Sequence, residues 1–306
     1  MRAVICSAYG PPEVLKLADV PTPAPTAGEV RIRVRATAVT SSDCYVRALD
    51  LDPRYRLLAR LALGWKAPRQ PILGMVLSGE IDAVGSGVTR FSEGDVVFGF
   101  DRHRSGTYAQ YVCWPQEALL VSRPANLTNE EAAAIPYGGL LALHFLRRAE
   151  VAAGQHVLVY GASGAVGTSA VQLAAKFGAH VTGVCGASNV ELVRSLGAER
   201  VVDYTREEFS TGSGRFDVFL DAVGKRKSAS ALRKAKLVLA PGGRRISVDD
   251  GTPKLVLDEL ELLAELAVSG DLRPVIDRVY PLEGIVEAHR YVGGGHKKGN
   301  VVVTVD

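Results

Sequence analysis

Tyr160-Gly-Ala-Ser-Gly-Ala-Val-Gly167 decides how this chain is read. It stands between an apolar run, His156 to Tyr160, and a helical stretch of small residues, Ala165 to Phe177. Gly161, Gly164 and Gly167 therefore fall at a strand-to-helix turn with G-x-x-G-x-x-G spacing. Glycine permits the tight turn. Without β-carbons the backbone can approach a pyrophosphate, whose charge is met by free N–H groups and the positive end of the helix. Ser163, Ala165 and Val166 complete this dinucleotide loop. An ordinary glycine-rich turn is the alternative, and the pattern of the chain beyond Phe177 argues against it. Further strands at His180 to Cys185, Ala198 to Val202, Val218 to Asp221 and Arg244 to Val248 alternate with helical or turn segments such as Val190 to Leu196. That alternation predicts right-handed βαβ units and a doubly wound parallel sheet of the Rossmann kind.

A fold of this kind that prefers NAD places an acid at the end of its second strand, against the ribose hydroxyls. The matching stretch, Val184-Cys-Gly-Ala-Ser-Asn189, has none, and the nearest acid is Glu191 in the next helix. Nothing there repels a 2′-phosphate, so NADPH (NADP) is the expected cofactor. Ser188, Asn189, Arg194 and Tyr204 are the groups able to meet that phosphate, with a solvated helix face as the other reading of Arg194. Val223 and Val248 close the fourth and fifth strands at the carboxyl edge, where ligands of such sheets lie.

Outward from the loop, the N-terminal stretch to about Leu120 is short β-like runs, such as Glu29 to Ala36 and Gly79 to Val84, punctuated by Gly, Pro and Ser. The chain has 306 residues, of which 47% are hydrophobic and 23% charged, a globular composition long enough for two domains. Its net charge of +3 is too small for the concentrated field that nucleic-acid binding requires. The longest apolar stretch, Ala132 to Phe145, is too short to span a bilayer, so no membrane partner is expected. Four widely separated cysteines form neither a metal knuckle nor a redox pair, which points to reduced thiols and a cytoplasmic location.

Taken with the loop, Asn189 to Ala198, Val202-Asp-Tyr204 and Asp221-Ala-Val-Gly224 resemble the medium-chain dehydrogenase/reductase superfamily. In the first half, Gly10 to Leu15, Gly79 to Gly85, Val88 to Phe91, Gly94 to Gly99 and Gly106 to Tyr111 look like its GroES-like barrel. The resemblance implies a β-rich catalytic domain at 1–122, an NADP-binding Rossmann domain at 123–254, and a return to the catalytic domain at 255–306. The catalytic Cys of the zinc alcohol dehydrogenases is replaced by Thr40, and their Gly-His-Glu ligand segment by Gly74-Met75-Val76. Their third ligand position falls in Tyr137-Gly138-Gly139, and their four-Cys structural lobe is absent. No metal site is expected, and the chain looks like the zinc-free quinone oxidoreductase branch.

That resemblance implies hydride transfer from NADPH to a small-molecule quinone or α,β-unsaturated carbonyl, in a cleft where Thr40, Asp43 and Tyr45 stand near the nicotinamide. Thr40 would hydrogen-bond a carbonyl, Asp43 would cap the following helical turn, and Tyr45 or water would supply a proton. Tyr55 is a second candidate donor. Asn300 or a neighbouring lysine would approach the cofactor phosphates. Between Gly251 and Leu257 the chain is shorter than most relatives, at the strand that often pairs across a dimer, which leaves a homodimer open but weakened. The rival readings are an NADPH-binding scaffold or sensor without turnover and, third, a zinc alcohol dehydrogenase.

Overall fold

The computed structural model describes residues 1–50, 56–211 and 214–306, so Tyr55 lies outside the described residues. The chain divides into two units: Met1–Pro136 with Ile276–Asp306, and Tyr137–Val275.

The first unit runs β1 (Arg2–Cys6), β2 (Leu15–Asp19), β3 (Glu29–Val39), α1 (Ser41–Ala48), α2 (Arg56–Leu63), β4 (Val76–Val84), β5 (Val96–Phe100), β6 (Tyr111–Pro115), β7 (Leu119–Ser122) and α3 (Asn129–Ala133). The strict alternation of Glu29-Val-Arg-Ile-Arg-Val-Arg makes β3 the centre of its sheet. Val30, Ile32 and Val34 enter the core, while Arg31 turns out to clamp Asp82 with two bonds of 2.8 and 3.1 Å.

The second unit runs α4 (Pro136–Arg148), β8 (His156–Tyr160), α5 (Ala165–Lys176), β9 (His180–Cys185), α6 (Val190–Ser195), β10 (Arg200–Asp203), β11 (Phe216–Asp221), α7 (Lys225–Val238), β12 (Leu239–Ser247) and α8 (Leu257–Val268). Its five strands lie in the order β10-β9-β8-β11-β12, every pair parallel. Val157, Leu158 and Val159 are buried on both faces of the sheet, as a parallel strand covered by helices requires. The order turns at β8, so the carboxyl end of that strand is the topological switch point of the sheet.

The chain then returns to the first unit as β13 (Ile276–Pro281), α9 (Ile285–Gly293) and β14 (Asn300–Thr304). Strand β14 pairs antiparallel with β3 and parallel with β13, completing a seven-stranded sheet ordered β13-β14-β3-β4-β5-β7, with β6 also paired to β3.

Residues 123–136 stay with the first unit, where α3 packs on β3 and β4. Residues 255–275 stay with the second. Arg147 on α4 pairs with Glu259 on α8 at 2.8 Å, and the Gln172 amide exchanges bonds of 2.8 and 3.1 Å with the backbone of Arg273. No helix among the described residues is long and apolar enough to cross a membrane.

Candidate functional site

In the second unit the glycine loop closes the turn from β8 into α5. Gly161 adopts φ +81°, and a β-carbon there would lie 2.4 Å from a Val223 methyl; one on Gly167 would lie 2.1 Å from the Gly161 carbonyl oxygen. Both positions demand glycine for the chain's own packing. Gly164 differs. It is the N-cap of α5 with φ −80°, no side chain caps the helix there, and a β-carbon would find nothing closer than 3.6 Å. No side chain therefore caps the first N–H groups of this twelve-residue helix, and the positive end of its dipole stands behind them. This seat fits a pyrophosphate.

Val223 is placed by Asp221, the last residue of β11, which is wholly buried. One carboxylate oxygen accepts from the backbone N–H groups of Val223 (3.1 Å) and Gly224 (3.2 Å). The other accepts from the hydroxyls of Ser228 (2.6 Å) and Ser247 (2.7 Å). Asp221 thus ties the ends of β11 and β12 and the start of α7 to the glycine loop, and Val248 is held beside it, its N–H on the Asp221 carbonyl at 3.0 Å. Sequence reasoning named Val223 and Val248 but missed Asp221, Ser228 and Ser247 as their support. The signal for the first pair was a buried-type strand ending in Asp221, with Ser228 seven residues on.

At the end of β9, Asn189 donates to the Ser163 hydroxyl at 3.2 Å, and its buried Oδ1 has no partner. Ser188 is exposed, and the Tyr204 hydroxyl lies 3.3 Å from where a Gly186 β-carbon would stand. Ser163, Ser188, Asn189 and Tyr204 thus gather on one edge of the sheet. Arg194, on α6, has its guanidinium beside Glu191 one turn back, both side chains exposed. Asp203, at the end of β10, spends one carboxylate oxygen on the Thr205 N–H and hydroxyl, which hold it below its usual range.

In the first unit, Thr40 and Asp43 form a capping box at the start of α1. One Asp43 oxygen accepts from the Thr40 N–H (2.8 Å) and hydroxyl (2.6 Å), while the Thr40 oxygen accepts from the Asp43 N–H at 3.2 Å. The other Asp43 oxygen accepts from Gly74 N–H at 3.2 Å, and the Tyr108 hydroxyl also bonds this carboxylate. Burial, opposed by these bonds, raises Asp43 to about 6. Behind it stands a second layer: His289 Nε2 is 3.2 Å from the Tyr108 hydroxyl, and its Nδ1 is 3.5 Å from the Cys44 sulfur. Burial pushes His289 down to about 3, leaving it neutral, and Cys44 up to about 12.

The Thr40 hydroxyl donates to Asp43, which differs from the expected bond to a substrate carbonyl, while Asp43 takes the expected capping role, buried with its bonds inside the fold. Tyr45 is half-buried on α1. Asn300 opens β14, buried in this unit, and Lys297 nearby is lowered to about 8 by burial while donating to the Gly299 carbonyl.

The third of the positions that would carry zinc ligands is closed by packing. A β-carbon on Gly138 would lie 2.3 Å from the Ala165 carbonyl oxygen, and one on Gly139 2.8 Å from a Leu263 methyl. Among the described residues no three His, Cys, Asp or Glu side chains are grouped to hold a metal, so the donor set does not fit zinc.

Comparison with known proteins agrees with this geometry. Residues 26–125 match the family described as "Alcohol dehydrogenase GroES-like domain", and residues 196–303 match "Zinc-binding dehydrogenase". The chain is 30% identical to the chloroplast envelope quinone oxidoreductase homolog of Arabidopsis thaliana, over 99% of this chain and 98% of that one. It is 32% identical to a 2-methylene-furan-3-one reductase of Solanum lycopersicum, over 99% and 79%. Among solved structures, the quinone oxidoreductase from Coxiella burnetii superposes with a TM-score of 0.86 at 28% identity, over 100% of this chain and 99% of that one.

Proposed function

The chain belongs to the medium-chain dehydrogenase/reductase superfamily, in its zinc-free quinone oxidoreductase-like branch, and from that membership we propose that it is an NADPH-dependent, zinc-independent oxidoreductase reducing quinones or α,β-unsaturated carbonyl compounds. The observation that carries the reading is the bare N-terminus of α5, uncapped at Gly164 at the switch point of the parallel sheet. NADPH supplies the hydride when bound. The chain's part is to hold it: Gly161 to Gly167 cradle the pyrophosphate, Asp221 fixes Val223 and Gly224 against the loop, and Ser188, Asn189 and Tyr204 face the adenosine ribose and its phosphate. Arg194 contributes little, its guanidinium standing in solvent beside Glu191.

Conjugated acceptors suit a site without a Lewis acid, because the charge developing on the substrate is delocalised through its own π-system. Positioning and a proton then suffice, with Tyr45 or water as the source. Asp43 supports the reaction indirectly by fixing the start of α1. Four free, separated thiols support a reducing, cytoplasmic setting. A homodimer would use the outer edge of β12, and sedimentation showing only monomer removes it.

A second reading, a cofactor-binding sensor without turnover, is favoured by one observation: the Thr40 hydroxyl and Asp43 carboxylate are buried and bonded to each other. Chelator-treated protein assayed for NADPH oxidation with quinones and conjugated enals, and with NADH in parallel, separates the readings. Turnover with NADPH supports the reductase; NADPH binding without turnover across the panel supports the sensor; faster turnover with NADH overturns the cofactor preference.

A further inference from the structure

The segment from Arg56 to Arg69 departs from the usual arrangement of a surface helix, which hides its apolar stripe and shows its polar one. Here the polar groups are spent on the fold. Arg60 stands over the Tyr9 ring at 5.7 Å and donates to the Trp65 carbonyl, Tyr9 donates to the Gly64 carbonyl at 2.9 Å, and Arg69 donates to the Leu61 carbonyl at 2.7 Å. These bonds pin the end of α2 and the turn behind it. The apolar side is left outward: Leu57, Leu58, Leu61 and Trp65, at i, i+1, i+4 and i+8, are 60, 64, 56 and 58% exposed. The three leucines lie on the helix, and Trp65 is exposed just beyond its end.

From Arg56 to Gly79 the charge is of one sign. Arg56 and Lys66 accompany the apolar side chains with no ion-pair partner among the described residues, no Asp or Glu occurs from Arg56 to Gly79, and Arg60 and Arg69 are held by the fold. Exposed leucines and a tryptophan accompanied by unpaired cations are complementary to the boundary between anionic headgroups and acyl chains. The absence of a spanning helix does not bear on this kind of contact. We infer that α2 and Trp65 form a peripheral docking face for an anionic lipid surface, with the leucines and indole entering the headgroup boundary and Arg56 and Lys66 meeting lipid phosphates. This face stands independently of the reaction assigned above.

The protein carries its own reporter. Of its two tryptophans, Trp114 is fully buried and Trp65 is exposed, so a change in indole emission on adding vesicles reports Trp65. The full chain is titrated with vesicles of phosphatidylcholine alone and with about a third phosphatidylglycerol, followed by emission and co-sedimentation. The expected result is a blue shift with anionic vesicles and binding at least ~20-fold tighter than to the zwitterionic ones, since each cation near an anionic leaflet contributes about fivefold. Leu57→Glu with Leu61→Glu should weaken that binding by at least ~10-fold, with circular dichroism and NADPH affinity unchanged as the check on folding. Lys66→Glu should weaken it less. The inference is overturned by no shift and no co-sedimentation, or by binding that survives the leucine changes. It is equally overturned by a blue shift that grows with protein concentration alone, which assigns this face to a second copy, or by one produced by an apolar enone without vesicles, which assigns it to the acceptor pocket.

Discussion

Two helices of this protein begin in opposite ways. Helix α1 closes its own N-terminus: Thr40 and Asp43 exchange bonds, and Gly74 and Tyr108 take the remaining carboxylate positions. Helix α5 begins at Gly164 with no side chain at its cap. A helix start that satisfies itself has spent its donors on the fold, whereas one left bare keeps them for a ligand. The contrast separates residues that position from residues that bind.

The strongest attempt to break that contrast is Gly164→Asp, which gives α5 the acidic cap that α1 already has. Aspartate is a good N-cap and the position has room, so the melting temperature should hold or rise slightly. NADPH affinity should fall by at least ~100-fold, because the new carboxylate takes the donors and repels phosphate. A fluorescence titration beside a thermal melt reads both. Affinity unchanged would mean that the phosphate does not sit on this helix.

The next largest effect belongs to the self-capped side and depends on pH. Asp43 is raised from 3.8 to about 6, so the folded state holds its proton more tightly than the unfolded chain does. Its contribution is full below about pH 4 and is lost as pH rises through 6, with a slope near ~1.4 kcal/mol per pH unit. His289, lowered from 6.5 to about 3, acts with opposite sign: its contribution is full above pH 6.5 and is lost as pH falls towards 3. The two oppose each other between pH 4 and 6. Denaturant unfolding across that range should show the advantage of the wild type over Asp43→Asn shrinking as pH rises. Its advantage over His289→Gln should grow. Parallel curves for all three proteins would show that neither group changes its proton affinity on folding.

A smaller effect sharpens the comparison within the binding unit. Ser228→Ala or Ser247→Ala removes one hydroxyl from the Asp221 carboxylate and should cost about 1–3 kcal/mol of stability. The same change should weaken NADPH affinity several-fold, because Val223 loses part of its support against Gly161; unchanged affinity would make Asp221 purely structural. Arg194→Ala should do least, altering the ratio of NADPH to NADH affinity by less than about twofold, since its guanidinium stands in solvent beside Glu191 and an exposed charge contributes little. A larger loss confined to NADPH would return Arg194 to the phosphate site.

Much of this molecule was legible in one dimension. The glycine spacing at 161–167, the alternation at Glu29 to Ala36 and the repeating strand-helix pattern after His156 are local signals, because backbone geometry and side-chain direction are set by near neighbours in sequence. They suffice for the two-part fold, the parallel sheet and the glycine loop; that Thr40 is the cap and Asp43 its reciprocal partner came from the folded chain. The tertiary structure decided how side chains spend their bonds. That Gly164 is bare while Gly161 and Gly167 are tightly packed depends on Val223 and the folded loop, and that Asp221 anchors two strands depends on Ser247, twenty-six residues away. That His289 completes the layer behind Asp43 depends on a helix 245 residues beyond Cys44. Hydrogen-bond partners and burial are set by the packed chain, and they separate residues that hold the protein together from those left to hold something else.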